Sequence, residues 1–155
     1  MADRVDRAQF ESASPARRTS DEAAARAFAV ELARTVTDEK CEEVLVLDVR
    51  GASPVTDFLV IGSGTSDRQM RTALTAATTL GGQRGFPSIR SSADDRATWL
   101  LADFVDVVLH LFEPNTRAHY DLETLWPDAV RIAWQRPDQR DRNRAGLRPD
   151  ERAGG

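Results

Sequence analysis

Cysteine, lysine and tyrosine each occur once in this 155-residue chain, at Cys41, Lys40 and Tyr120. A single cysteine excludes an intrachain disulfide framework, and with only two histidines no short metal-ligand spacing exists. Cys41 therefore reads as a small packed residue rather than a nucleophile. No apolar run approaches the roughly 20 residues that cross a bilayer, and the start, MADRVDRAQF, lacks the apolar region of a signal peptide. These absences predict a soluble, cytoplasmic protein with no membrane contact.

With 41% hydrophobic and 30% charged residues, the composition is that of one globular domain with a real core. Arginine carries nearly all the positive charge, and its placement is uneven. Residues 41–130 hold thirteen acidic and seven basic side chains, whereas residues 131–155 hold seven basic and four acidic ones. An acidic body is a poor direct ligand for a phosphate backbone, because nucleic-acid affinity rests on cationic contacts. It suits a basic protein partner better.

Residues 1–18 lack periodic apolar positions and read as a disordered lead. Thr19 and Glu22 have capping-box spacing, and Ala24, Phe28, Leu32 and Val36 recur at helical intervals up to about Glu39. Two apolar runs of strand length follow, at 44–49 and 58–61, whose lack of alternation predicts a sheet covered on both faces. Gly62 to Thr65 make a turn, Ser66 and Gln69 form a second capping box, and a helix runs over about 67–80 until Gly81-Gly82 ends it. A polar connection with a short strand near 88–91 leads to strands at 98–102 and 105–112. In the latter, Val105, Val107, Leu109 and Leu111 point one way and Asp106, Val108, His110 and Phe112 the other, so one face is core and one half polar. Glu113-Pro114 starts a last helix that reaches Leu125 before Trp126-Pro127, and the charged stretch from 136 to 155 reads as a disordered tail. The order predicts a layered α/β or α+β domain over residues 19–130, built on a mixed sheet.

For function, the Gly62–Ser66 turn before a helix has the form of a phosphate or nucleotide site. It lacks the lysine of a P-loop and the spacing of a dinucleotide fingerprint, so turn and cap chemistry explains it better. A nucleotidyltransferase needs carboxylates alternating on one strand to hold metal, and Asp103 and Asp106, three apart, fall on opposite faces. No Gly-x-Ser-x-Gly elbow exists, and His110 and His119 have no evident nucleophile. A catalytic set, a cofactor and a metal are thus not expected. Trp99, Leu100, Phe112, Tyr120 and Trp126 gather large side chains in the second half. They fit either a core or a partner-binding surface in which Trp99, beside Asp95, Asp103 and Asp106, is the anchor.

The segments VLVLDVRGASPVTDFLVIGSGTSDRQ and TWLLADFVDVVLHLFEPNTRAHYDLETLW resemble, in motif and spacing, the ribosomal silencing factor family, also called Iojap. The likeness covers about residues 20–127. It implies a nucleotidyltransferase-like fold without the catalytic carboxylates. It also implies a non-enzymatic repressor of translation, active when nutrients are scarce. Such a protein binds the large ribosomal subunit through its universal fourteenth protein, on the side facing the small subunit, and blocks subunit joining; a homodimer in the free state is a family trait. Carried over by position, the partner-binding residues are Trp99, Leu100, Asp103, Asp106, His110 and Phe112, with Tyr120 added. Family members commonly have glycine where this chain has Val105, which puts a tight αL turn there in question, and 91–97 (SSADDRA) also departs from the pattern, leaving Asp94 and Asp95 as replacements. The arginine-rich tail lies outside the resemblance and fits either an rRNA contact or a solvating segment.

Overall fold

The computed structural model describes residues 21–137. The lead expected at 1–18, and the tail expected from 136 except Arg136 and Pro137, lie outside the described residues. Helix α1 (Glu22–Asp38) is followed by strands β1 (Glu42–Asp48) and β2 (Phe58–Ser63), helix α2 (Asp67–Gln83), and strands β3 (Arg90–Ala93), β4 (Trp99–Asp103) and β5 (Val107–Phe112). A short helix α3 (Pro114–Tyr120), a 3-10 turn (Leu122–Leu125) and a two-residue strand β6 (Val130–Arg131) complete the order. One six-stranded sheet runs β3-β4-β5-β2-β1-β6. Among the described residues only the β2–β5 pair is parallel, so the expected mixed, layered α+β sheet is what forms.

Alternation along the strands sorts the core into two layers. Phe58 and Val60 of β2, Leu100 and Ala102 of β4, and Val107, Leu109 and Leu111 of β5 face α1 and α2. These two helices contribute Phe28, Leu32, Val36, Met70, Ala73 and Ala77 to the same layer. Leu59, Ile61, Trp99, Leu101, Val108 and Phe112 face the opposite way, under Tyr120, Leu122, Leu125 and Trp126. Both faces are therefore covered, as the unbroken apolar strands imply, but not equally. Helix α3 has seven residues and buries none of them.

Several element ends differ from the sequence expectation, each for a local reason. The cap of α1 is Asp21, whose carboxylate accepts from the Ala24 amide at 3.0 Å, and not Thr19, which lies outside the described residues. Gly81-Gly82 does not end α2, which runs on to Gln83 before Gly85 takes the left-handed conformation at φ 83°. Gly81 is needed for packing instead, because a Cβ there would sit 2.4 Å from the Phe86 carbonyl oxygen and 2.6 Å from the Phe104 ring. The last helix stops at Tyr120 rather than Leu125, since Asp121 adopts φ 48°, ψ 53° and the chain tightens into the 3-10 turn. The chain also packs beyond residue 130. The Ile132 amide donates to Val46 O at 2.8 Å, the Trp134 indole to Val44 O at 3.0 Å, and Arg34 Nε to Trp134 O at 2.6 Å, with Ile132 and Trp134 buried in the helix-side layer. Arg136 then forms a two-pronged pair with Asp38 at 3.0 Å.

Candidate functional site

The second face of the sheet holds one aromatic cluster, Trp99, Phe112, Tyr120 and Trp126, and its centre is Trp99. Register places Trp99 beside Phe112, and the Trp99 ring lies 4.7 Å from Phe112 and 4.6 Å from Tyr120. Two positions along β5, His110 reaches the same cluster and accepts the Trp99 indole proton on Nδ1 at 3.0 Å. An accepting Nδ1 defines the neutral tautomer with its proton on Nε2. His110 is fully buried, and burial, aided by the nearby Arg90 charge, pushes its imidazole down to about 3. It stays neutral at any physiological pH. The cluster is thus a polar-aromatic floor in which the bond from the indole to His110 fixes the orientation of the tryptophan.

An exposed Trp99 anchor is not what forms. Trp99 is 3% exposed, and Leu100, Asp103, Asp106, His110 and Phe112 are buried as well. Of the seven residues singled out, only Tyr120 keeps partial exposure. Leu100 sits in the helix-side layer while Trp99 sits in the other, because adjacent strand residues point to opposite faces. Asp94 departs from the expected interface edge too. It accepts from the Thr98 and Trp99 amides at 2.6 and 3.0 Å, tying the β3–β4 hairpin, while Asp95 and Arg96 are exposed.

Asp103 and Asp106 bracket the β4–β5 hairpin. The Phe104 amide donates to Val107 O at 2.8 Å, leaving Val105 as the first central residue of a two-residue turn at φ 76°. The Asp106 amide donates to Phe104 O at 3.0 Å, an i to i+2 bond that closes a γ-turn around Val105, at a φ that β-branched residues rarely adopt. The tight turn is kept nonetheless, since its surroundings over-determine it. Asp103 Oδ1 accepts the Val105 amide at 2.8 Å, and Asp106 O accepts both Asp57 and Phe58 amides at 3.1 Å. Burial raises the Asp103 carboxyl above its ordinary range, while the Val105 amide and Arg90 pull the other way. Among the described residues, no group of three or more His, Cys, Asp or Glu side chains is placed to hold a metal ion.

The Gly62–Ser66 turn commits its Gly64 and Thr65 amides within the protein. The Gly64 amide donates to Phe112 O at 2.8 Å and the Thr65 amide to Gln69 Oε1 at 2.9 Å, while Ser66 Oγ accepts the Gln69 amide at 3.0 Å. Gly64 is dictated by its neighbour, because a Cβ there would lie 2.0 Å from Met70 Cγ. A phosphate drawing on the Gly64, Thr65 or Gln69 amide would have to displace these bonds. Arg117, unmarked by any motif in the sequence, ties this turn to the second face. Its guanidinium donates to Glu43 O at 2.7 Å, to Ser63 Oγ at 2.9 Å and to Glu123 Oε2 at 3.0 Å. The Glu43 carbonyl is available because β1 bulges between Glu42 and Leu45, with Glu43 at φ 53°. An arginine among polar residues on a helix gives no signal of such reach.

Relatives share this sequence and shape. A family model described as "Ribosomal silencing factor during starvation" matches residues 21–153. The ribosomal silencing factor of Halalkalibacterium halodurans is 36% identical over 97 residues, covering 63% of this chain and 83% of that protein. The mouse protein named "Mitochondrial assembly of ribosomal large subunit protein 1" is 33% identical over 98 residues, covering 61% of this chain but 43% of its own length. A crystal structure of a protein from Bacillus halodurans superposes with TM-score 0.57 at 31% identity, covering 70% of this chain and 95% of that one. Fold and match together define a regulatory α+β domain. The chain belongs to the ribosomal silencing factor family.

Proposed function

We propose that this protein binds the large ribosomal subunit through its universal fourteenth protein, on the side that meets the small subunit, and represses translation under nutrient limitation by keeping the subunits apart. The observation that carries the reading is the family match over residues 21–153, whose description joins silencing to starvation. The name of the mouse relative points to the same subunit. Charge supports it, since an acidic body with thirteen carboxylates against seven basic groups over residues 41–130 suits a basic protein held on rRNA.

The mechanism is steric and needs no bond to form or break. Tyr120 touches the partner, and Trp99, His110 and Phe112 hold it from beneath, while Leu100 backs the strand and Asp103 and Asp106 fix the hairpin beside it. Such a floor lowers the cost of ordering the contact surface on binding. The protein acts in the cytoplasm, and a second copy covers the same surface when no subunit is bound. Light scattering of purified subunits tests the reading: added protein slows joining in proportion to the large subunits it saturates, and joining at the normal rate with saturated subunits overturns it.

A further inference from the structure

A groove of about 580 Å³ opens away from the Trp99 floor, between the β1–β2 loop and the chain that follows the 3-10 turn. One wall is apolar, with Trp126, Pro127 and Val130. Val130 is 64% exposed, more than any other large hydrophobic side chain among the described residues. The other wall is charged, with Asp48, Arg50 and, at its end, Glu22, while Asp128 lies on the apolar side. Arg50 is committed: it donates to Asp48 at 2.6 and 2.9 Å and to Glu22 at 2.8 Å. Three carboxylates therefore line the groove with one guanidinium that two of them already hold, and Arg26 lies near enough to act on Asp48. The groove keeps net negative charge beside an exposed aliphatic side chain.

We propose that this groove seats a basic segment of the protein partner, with a lysine or arginine head group at Asp128 and its aliphatic stem, or a neighbouring apolar residue, on Trp126 and Val130. Long cationic side chains suit such a site, since they cover apolar surface with the stem and leave the charge at the rim. A nucleic-acid backbone does not, because the carboxylates repel its phosphates. A second copy fits poorly, because a two-fold contact brings two acidic grooves together. The inference rests on the reading that the chain binds a ribosomal protein and adds a second point of attachment to it.

Binding of the full chain to purified large subunits tests it with Val130→Glu and Asp128→Arg, both at exposed positions. Each is expected to weaken binding about tenfold or more at an unchanged melting temperature, and the Asp128→Arg loss is the larger one at low salt. If the unaltered protein fails to bind the subunit, the functional reading falls and the groove falls with it. If it binds and both variants bind equally well, only the groove assignment is overturned. A loss confined to self-association assigns the groove to a second copy. A lowered melting temperature reproduced by Arg17→Glu with Arg18→Glu assigns it to the chain's own preceding segment. Either of these outcomes overturns the proposal.

Discussion

The two faces of the sheet are built from the same strands and covered in opposite ways. The first lies under two helices of 17 residues each, and its filling mixes aliphatic side chains with Phe58, Trp134, the stacked Phe28–Phe86 pair at 4.6 Å and the edge-on Phe104 at 5.1 Å. The second lies under a seven-residue helix and a single 3-10 turn, and it contains a buried histidine and the partly exposed Tyr120 and Trp126. Broad helical cover over a chiefly apolar layer, whose Trp134 indole is bonded to Val44 O, supplies stability at low risk. Thin cover over a hydrogen-bonded aromatic floor supplies a surface that is rigid and still reachable. The division of labour follows from which side of each strand carries which residue.

The contrast can be broken hardest on the helix face. Phe28→Ala removes a ring stacked on Phe86 and touched by Phe104, and it should cost about 3–5 kcal/mol in chemical denaturation. A loss near 1 kcal/mol would mean that this layer is not the main core. On the other face, His110→Phe keeps an aromatic shape but leaves the Trp99 indole without its acceptor, for about 1–3 kcal/mol at pH 7. Its pH signature is more telling. The unfolded imidazole takes up a proton below its ordinary 6.5 and the folded one only near 3, so the native protein loses stability as pH falls through that window. The phenylalanine variant lacks this slope, and the gap between the two proteins should close on acidification. Asp103 acts in the opposite sense, since its raised carboxyl holds a proton longer when folded and contributes a loss as pH rises above 3.8. The smallest effect is expected at the hairpin linking the faces. Val105→Gly relieves a β-branched residue held at φ 76° while removing a buried side chain, and the two nearly offset, leaving stability within about 1 kcal/mol.

Periodicity made most of this fold legible. The 3.6 and 2.0 repeats identify α1, α2 and the four central strands, and the alternation in β5 assigns Val107, Leu109 and Leu111 to one layer and Val108, His110 and Phe112 to the other. Ends were less legible, because they depend on contacts from elsewhere. Gly81 reads as a stop until Phe86 and Phe104 are seen against it. The site was legible as a set of residues but not as a surface. Trp99 beside carboxylates has the composition of an exposed anchor, yet only the register with Phe112 and the arrival of Tyr120 reveal that the ring is enclosed. Arg117 and Trp134 act on backbone carbonyls far away in sequence, at Glu43 and Val44, and nothing in a linear pattern marks such partners.

The bond from Arg34 to Trp134 joins residues 100 positions apart, across the first helix and the end of the described chain. Ile132 and Trp134 fill the layer beneath α1, so during synthesis this layer stays open until the ribosome has made nearly the whole domain. A nascent chain halted before residue 132 exposes apolar surface that a finished one hides. The protein therefore closes late, with its last tryptophan acting as the keystone of its first helix.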